Sequence, residues 1–200
     1  MIATLHRHPG WAGLAAALLL ATPPLRSLLE ARMASHMLLQ FPLLMLAGAW
    51  GAAAIPPSLQ RRIAAWNAHG IAGLTLAAAV LALSMVPRLL DLALTHVPTE
   101  VAKFTLLLLS GAALRLSWRA AGTVLQGFFL GNTLPMMAIA GWLYGDAPVR
   151  LCNAYGFDDQ QTVGLALSWG AAAIAAVWLA VATRGLMRAE SALHTEEHAP

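Results

Sequence analysis

Residues 32–48 run Arg32-Met33-Ala34-Ser35-His36-Met37-Leu38-Leu39-Gln40-Phe41-Pro42-Leu43-Leu44 and on to Gly48. The stretch places a histidine and two thioethers at the mouth of a long apolar helix. At about 100° per residue, Arg32, Met33, His36, Met37 and Gln40 fall within roughly 140° of arc, so they share one face, while Leu38, Leu39 and Leu43 point elsewhere. Thioether and neutral imidazole are ligands that suit Cu(I), and Met is also the side chain that best fills irregular gaps in an apolar core. Both uses of this face stay open at this level.

Outward from that helix the chain is just as apolar. Of its 200 residues 59% are hydrophobic and 10% charged, with a mean hydropathy of +0.67; about 25% charged is usual in soluble domains. Crossing a hydrocarbon core about 30 Å thick takes roughly 20 apolar residues, and several segments reach that length. Backbone groups in lipid must be satisfied within the segment, and alternating strand patterns are absent, so the fold expected is all-α: a polytopic membrane bundle of about six transmembrane helices.

Prolines and charges punctuate it into one transmembrane domain over 1–200. Residues 1–22 form a short first span or signal-like segment, read here as an uncleaved helix stopped by Pro23-Pro24. The bundle occupies 33–183: a span from Met33 to Ala54, a third helix from Ile63 to Met85 with His69 inside it, and a surface amphipathic helix over Arg88–Thr99. Next come spans over Phe104–Trp118 and 121–144, the latter interrupted near Pro135, and a last span over Thr162–Thr183. Lys103 is expected to snorkel to the interface, and 184–200 form a polar tail ending in disorder.

Cationic residues divide between the two sides. Arg7, Arg61, Arg62, Arg115, Arg119, Arg184 and Arg188 fall on one; Arg26, Arg32, Arg88, Lys103 and Arg150 fall on the other, with Glu30, Asp91, Glu100, Asp146, Asp158 and Asp159. The positive-inside rule puts the first side, and both termini, in the cytoplasm. His36, His96, Met33, Met37, Met85 and Cys152 all fall at helix ends on the opposite side, where they would line one outward-facing mouth, as a site or as the ordinary polar rim of a bundle. A single cysteine excludes an intrachain disulfide and a CxxC zinc site. Scattered arginines speak against nucleic acid. Phosphate-loop, dinucleotide, nucleophile-elbow and zincin motifs are all missing, so the chain is not read as an enzyme.

Several blocks, in order, resemble one family. They are His36-Met37-Leu38-Leu39 with Pro42 and Gly48; Met85-Val86-Pro87 with Asp91 and Ala93-Leu94; Phe104–Gly111; Leu134-Pro135-Met136-Met137 with Gly141; and Asn153-Ala154-Tyr155, Asp159-Gln160 and Gly164. Together they are similar to the seven-helix assembly factors of caa3-type cytochrome c oxidases, the CtaG type. Where that family carries further histidines, this chain has Arg32, Met85, Glu100 and Phe104. The resemblance implies a multi-pass protein of the bacterial inner membrane that assists oxidase assembly and handles Cu(I) at its periplasmic face. His36, Met37 and Met85 would be the ligands, supported by Met33, His96 or Cys152, and a haem-copper oxidase subunit and the lipid bilayer would be the partners. Pro135, Asp159, Gln160 and Gly164 would be structural, with Asp158 or Asp159 capping the last helix and holding the preceding loop to it. The alternatives are a metal-free membrane scaffold of the same fold, a transporter with a helix broken at Pro135, and a haem protein ligated by His36 and His69.

Overall fold

Proline sets most of the helix starts. In a computed structural model, which describes residues 9–197 and the side chains of 10–188, α1 (Pro9–Leu20) gives way to α2 (Pro23–Glu30) across Thr22, held extended ahead of Pro23. The residue before a proline is pushed out of the helical region, while proline itself is pre-set for the first helical turn. The same device starts α4 (Pro57–Trp66), α6 (Pro87–Thr95) and α7 (Val97–Asp146). Residues 23–30 are therefore helical. The surface helix stops at Thr95, because Pro98 opens the next one.

The histidine–methionine segment is not a plain α-helix. Ser35–Gln40 form a π-turn ahead of α3 (Phe41–Gly51), with the Phe41 amide bonded to the His36 carbonyl. Pro42 brings no N–H and its ring crowds the Leu38 carbonyl, so the ladder widens just before it. Met33, His36, Met37 and Gln40 are buried, whereas Arg32 lies ahead of the helix and faces out with 78% of its side chain exposed.

The expected third helix divides in two. Asn67 ends α4, and Gly70, at φ 73°, turns the chain 85° into α5 (Ile71–Ser84). Asn67 locks that corner: its Oδ1 accepts the Gly73 amide at 3.1 Å and its Nδ2 donates to Ser117 Oγ at 2.8 Å. His69 consequently sits exposed in the corner rather than inside a span.

Helix α7 is 50 residues long, about 75 Å if straight, yet it does not run straight. Gly122 takes φ 60° and ψ 179°, a conformation open to glycine. Trp118 and Phe129 stack edge to face 6.4 Å apart, and Gln126 Nε2 donates to the Trp118 carbonyl at 2.8 Å. Eleven residues of straight helix would separate those rings by about 16 Å, so the chain reverses at Gly122 into arms 97–121 and 123–146. Backbone angles around Pro135 stay helical; the break lies at Gly122 instead.

The two arms are the centre of the bundle. The first packs on α3 and α5, and the second on α8 (Phe157–Glu197), which continues as helix through the stretch expected to be a polar tail up to Glu197. Gly48 faces the Leu108 carbonyl and Gly111 the Met45 carbonyl so closely that neither site has room for a Cβ; Gly141 and Gly164 meet the same way. Small residues of this kind let membrane helices approach backbone to backbone. Among the described residues there is no strand, and three helices are long and apolar enough to cross a membrane, or up to five if each bent pair is one span. Large apolar side chains such as Trp66, Val124 and Trp169 are exposed, as a lipid-facing surface requires.

Candidate functional site

At one end of the bundle, α2, the π-turn, the first arm of α7 and the loop before α8 enclose a buried polar cluster. Arg26 and Glu30 are one turn apart on α2; Glu100 and Lys103 are likewise neighbours on the first turns of α7. The Lys103 side chain is 7% exposed and that of Glu30 9%, so Lys103 does not snorkel. Its Nζ lies 2.6 Å from Glu30 Oε1, 3.2 Å from Gln40 Oε1 and 3.0 Å from His36 Nε2. An ammonium has three protons, and each has an acceptor here.

The tautomer of His36 follows. Nε2 accepts from Lys103, so the ring is neutral with its proton on Nδ1, which lies 2.7 Å from the Tyr155 hydroxyl. Tyr155 passes the chain on, donating to the Glu30 carbonyl at 3.1 Å. Burial first, and the nearby Glu30 carboxylate second, raise the Tyr155 phenol above its usual range, so it stays an O–H donor. Gln40 closes the ring by donating to Glu30 Oε1 at 3.2 Å. Arg26 balances the charge, 2.7 Å from Glu100 and 3.6 Å from Glu30. Two cations face two carboxylates, so the cluster is neutral. Phe41 seals it edge-on to His36 at 5.2 Å, and beyond Lys103 an apolar cleft of about 120 Å³ opens between α5, α6 and α7.

The residues singled out as ligands meet different fates. Met33 and Met37 are buried in the core around Leu44 and Leu107, and Met85, the C-cap of α5, packs against that core while its carbonyl accepts the Tyr144 hydroxyl at 2.7 Å. Cys152 is buried in the same core, with Sγ 3.9 Å from the Pro87 carbonyl. Burial, and then the Asp91 carboxylate, push its thiol up to about 12, so it rests as the protonated thiol. His96 is exposed in the α6–α7 link. The structure thus gathers Met33, His36, Met37, Met85 and Cys152 at one end, as core rather than as the lining of an open mouth, and leaves His96 outside.

These residues do not fit a Cu(I) ion as they stand. Both ring nitrogens of His36 are engaged, and the ammonium of Lys103 stands where a metal on Nε2 would be. A haem shared by His36 and His69 is equally unfavoured, since one is buried in the cluster and the other exposed in the α4–α5 corner.

The acids and amides of the last loop act across elements. Asp159 Oδ2 accepts the Met33 amide, and its other oxygen is 3.9 Å from Arg32. Asp159 therefore caps the helix that carries His36, while with Asp158 it also sits in the first turn of α8, where acids suit the dipole. Gln160 holds the loop instead: its Oε1 accepts the Leu151 amide at 2.7 Å, and its Nε2 donates to the Tyr144 carbonyl at 3.0 Å. Asp91 takes the Asn153 and Ala154 amides at 2.9 and 3.2 Å. Asp159→Ala should lower stability in detergent by about 1 kcal/mol, the scale of a lost cap, with Asp159→Asn recovering most of it. Unchanged melting of the alanine variant would contradict the cap.

The fold and site together define a helical membrane protein with a largely buried, neutral ionic cluster at one end. No family model matches the chain, and neither a curated protein nor a solved structure matches it.

Lys103, Glu30 and Tyr155 are the members sequence reading missed. Paired opposite charges in so apolar a chain were the available signal, because ionisable groups inside a membrane protein are costly and seldom unpaired.

Proposed function

We propose that the protein is a non-enzymatic, metal-free membrane scaffold, of the assembly-factor kind that its sequence resembles. Its role is to present a rigid, lipid-embedded surface to another integral membrane protein. A haem-copper oxidase subunit of the bacterial plasma membrane is the partner that the resemblance favours. Counting the two arms of α7 separately, with α1, α3, α5 and α8, gives six spans; both termini then face the cytoplasm and the ionic cluster the periplasm, as the cation bias favours.

The observation that carries this reading is the Lys103 ammonium on His36 Nε2, 3.0 Å away. Copper handling would need that nitrogen free. With all three ammonium protons bonded and both carboxylates balanced, the cluster serves to join α2, the π-turn, α7 and the last loop. The helix around Pro135, on whose break the transporter alternative rests, is continuous.

Purified protein, reduced and offered equimolar Cu(I) against a weak competing chelator, should stay copper-free. Lys103→Met should bind no less, and His36→Ala no differently from the wild type. Stoichiometric Cu(I) on the wild type that is lost in His36→Ala would overturn the scaffold reading in favour of copper handling.

A further inference from the structure

Among the described side chains, those at the end of the bundle opposite the ionic cluster carry charge of one sign. Arg61, Arg62, Arg115, Arg119, Arg184 and Arg188 gather there, and every acidic side chain among the described ones, from Glu30 to Asp159, belongs to the other end or its loops. None of these arginines has a carboxylate partner among the described residues. Arg115 and Arg119 differ from the rest in what lies beside them. One turn apart on the first arm of α7, they border a groove of about 800 Å³ between α3 and α7, with Met45, Leu46, Ala49, Leu114 and Trp118 along its wall.

We infer that this groove is a binding site for one anionic phospholipid, the acyl chain lying along Met45, Leu46, Ala49 and Leu114 and the phosphate held by Arg115 and Arg119. Charge complementarity chooses the occupant. Two uncompensated guanidiniums at the end of an apolar channel match a molecule that is apolar along its length and anionic at its tip, and guanidinium meets phosphate in a bidentate fork. Basic pockets between membrane helices are recognised lipid-headgroup sites. Trp118 contributes the aromatic ring that favours the headgroup level. The glycine at 111 brings α3 and α7 into contact at the floor, so the groove is a fixed depression rather than a gap between loose helices.

The test is lipid retention by the whole protein, read by native mass spectrometry after exchange into micelles doped with phosphatidylglycerol or with phosphatidylcholine. The wild type should retain one phosphatidylglycerol in preference to phosphatidylcholine. Arg115→Gln/Arg119→Gln should cut that preference roughly 30-fold, at about 1 kcal/mol for each arginine near an anionic surface. Ala49→Leu, which fills the groove without touching charge, should lower retention of the same lipid. Arg61→Gln/Arg62→Gln, on the amphipathic α4 outside the groove, should leave the tightly held lipid in place. Equal retention of both lipids by the wild type would overturn the proposal, as would an equal loss from the Arg61/Arg62 pair, which would mean diffuse surface attraction.

Discussion

Lys103→Met should destabilise the detergent-solubilised protein by about 3–5 kcal/mol, the cost of removing one partner from a buried ion pair. The reason lies in what is left behind. Glu30 would be left at 9% exposure with Arg26 as its remaining cation, 3.6 Å away; Gln40 Oε1 and His36 Nε2 would each lose a donor inside the bundle. Neutralising both members should undo most of the damage, because an apolar or neutral replacement of a whole buried pair is often no worse than the pair itself. Glu30→Gln/Lys103→Met is therefore expected to melt close to the wild type. Thermal unfolding of the four proteins of that cycle reads the coupling directly. A Lys103→Met protein as stable as the wild type would show that the ammonium is not held as described.

The second large effect is expected at the crossing of α3 and the first arm of α7. Gly111→Leu should cost about 3 kcal/mol or more, at or beyond the upper end of overpacking penalties. Its Cβ would run into the Met45 carbonyl, and backbone, unlike a side-chain tip, cannot swing aside. Gly48 meets the Leu108 carbonyl at the same crossing, so Gly48→Leu should be similarly damaging. The double variant should cost less than the sum, since helices already forced apart by one substitution have room for the other. Gly131 supplies the contrast: a Cβ there meets nothing within 4 Å. Gly131→Ala should be neutral, or stabilising by up to about 1 kcal/mol through the unfolded chain. Equal melting of the Gly111 and Gly131 variants would contradict the close crossing.

The prolines show how far local chemistry reaches. Pro23, Pro57, Pro87 and Pro98 each begin a helix, because a fixed φ and a missing amide act on the proline's own backbone whatever surrounds it. Pro42 belongs to the same class, yet its effect, the π-turn over Ser35–Gln40, was not legible. A wheel drawn at a constant angle put Arg32 beside His36, but the helix begins only at Met33, so Arg32 falls outside it. Gly122 was legible only in part: spans read over Phe104–Trp118 and 121–144 already divided the chain at 119–120, but glycine tolerates a helix as well as a reversal, so which residue makes the turn is decided only when Trp118 and Phe129 pack. Pro135, the more conspicuous breaker, stays within helix.

By itself, then, the sequence determined an all-helical chain apolar enough for the membrane and the places where most helices begin, since hydropathy and proline geometry belong to single residues and short windows. Tertiary structure decided the number of bends, the residue at which the hairpin between the arms of α7 turns, and the content of the site. Lys103 read alone is a cation at a helix mouth, free to reach water. It is buried because Glu30 lies 73 residues before it in the chain and Gln40 63, and His36 is turned toward it by Tyr155, 119 residues away. Whether a charge is solvated or desolvated depends on partners brought from distant segments, and that is a property of the packed bundle.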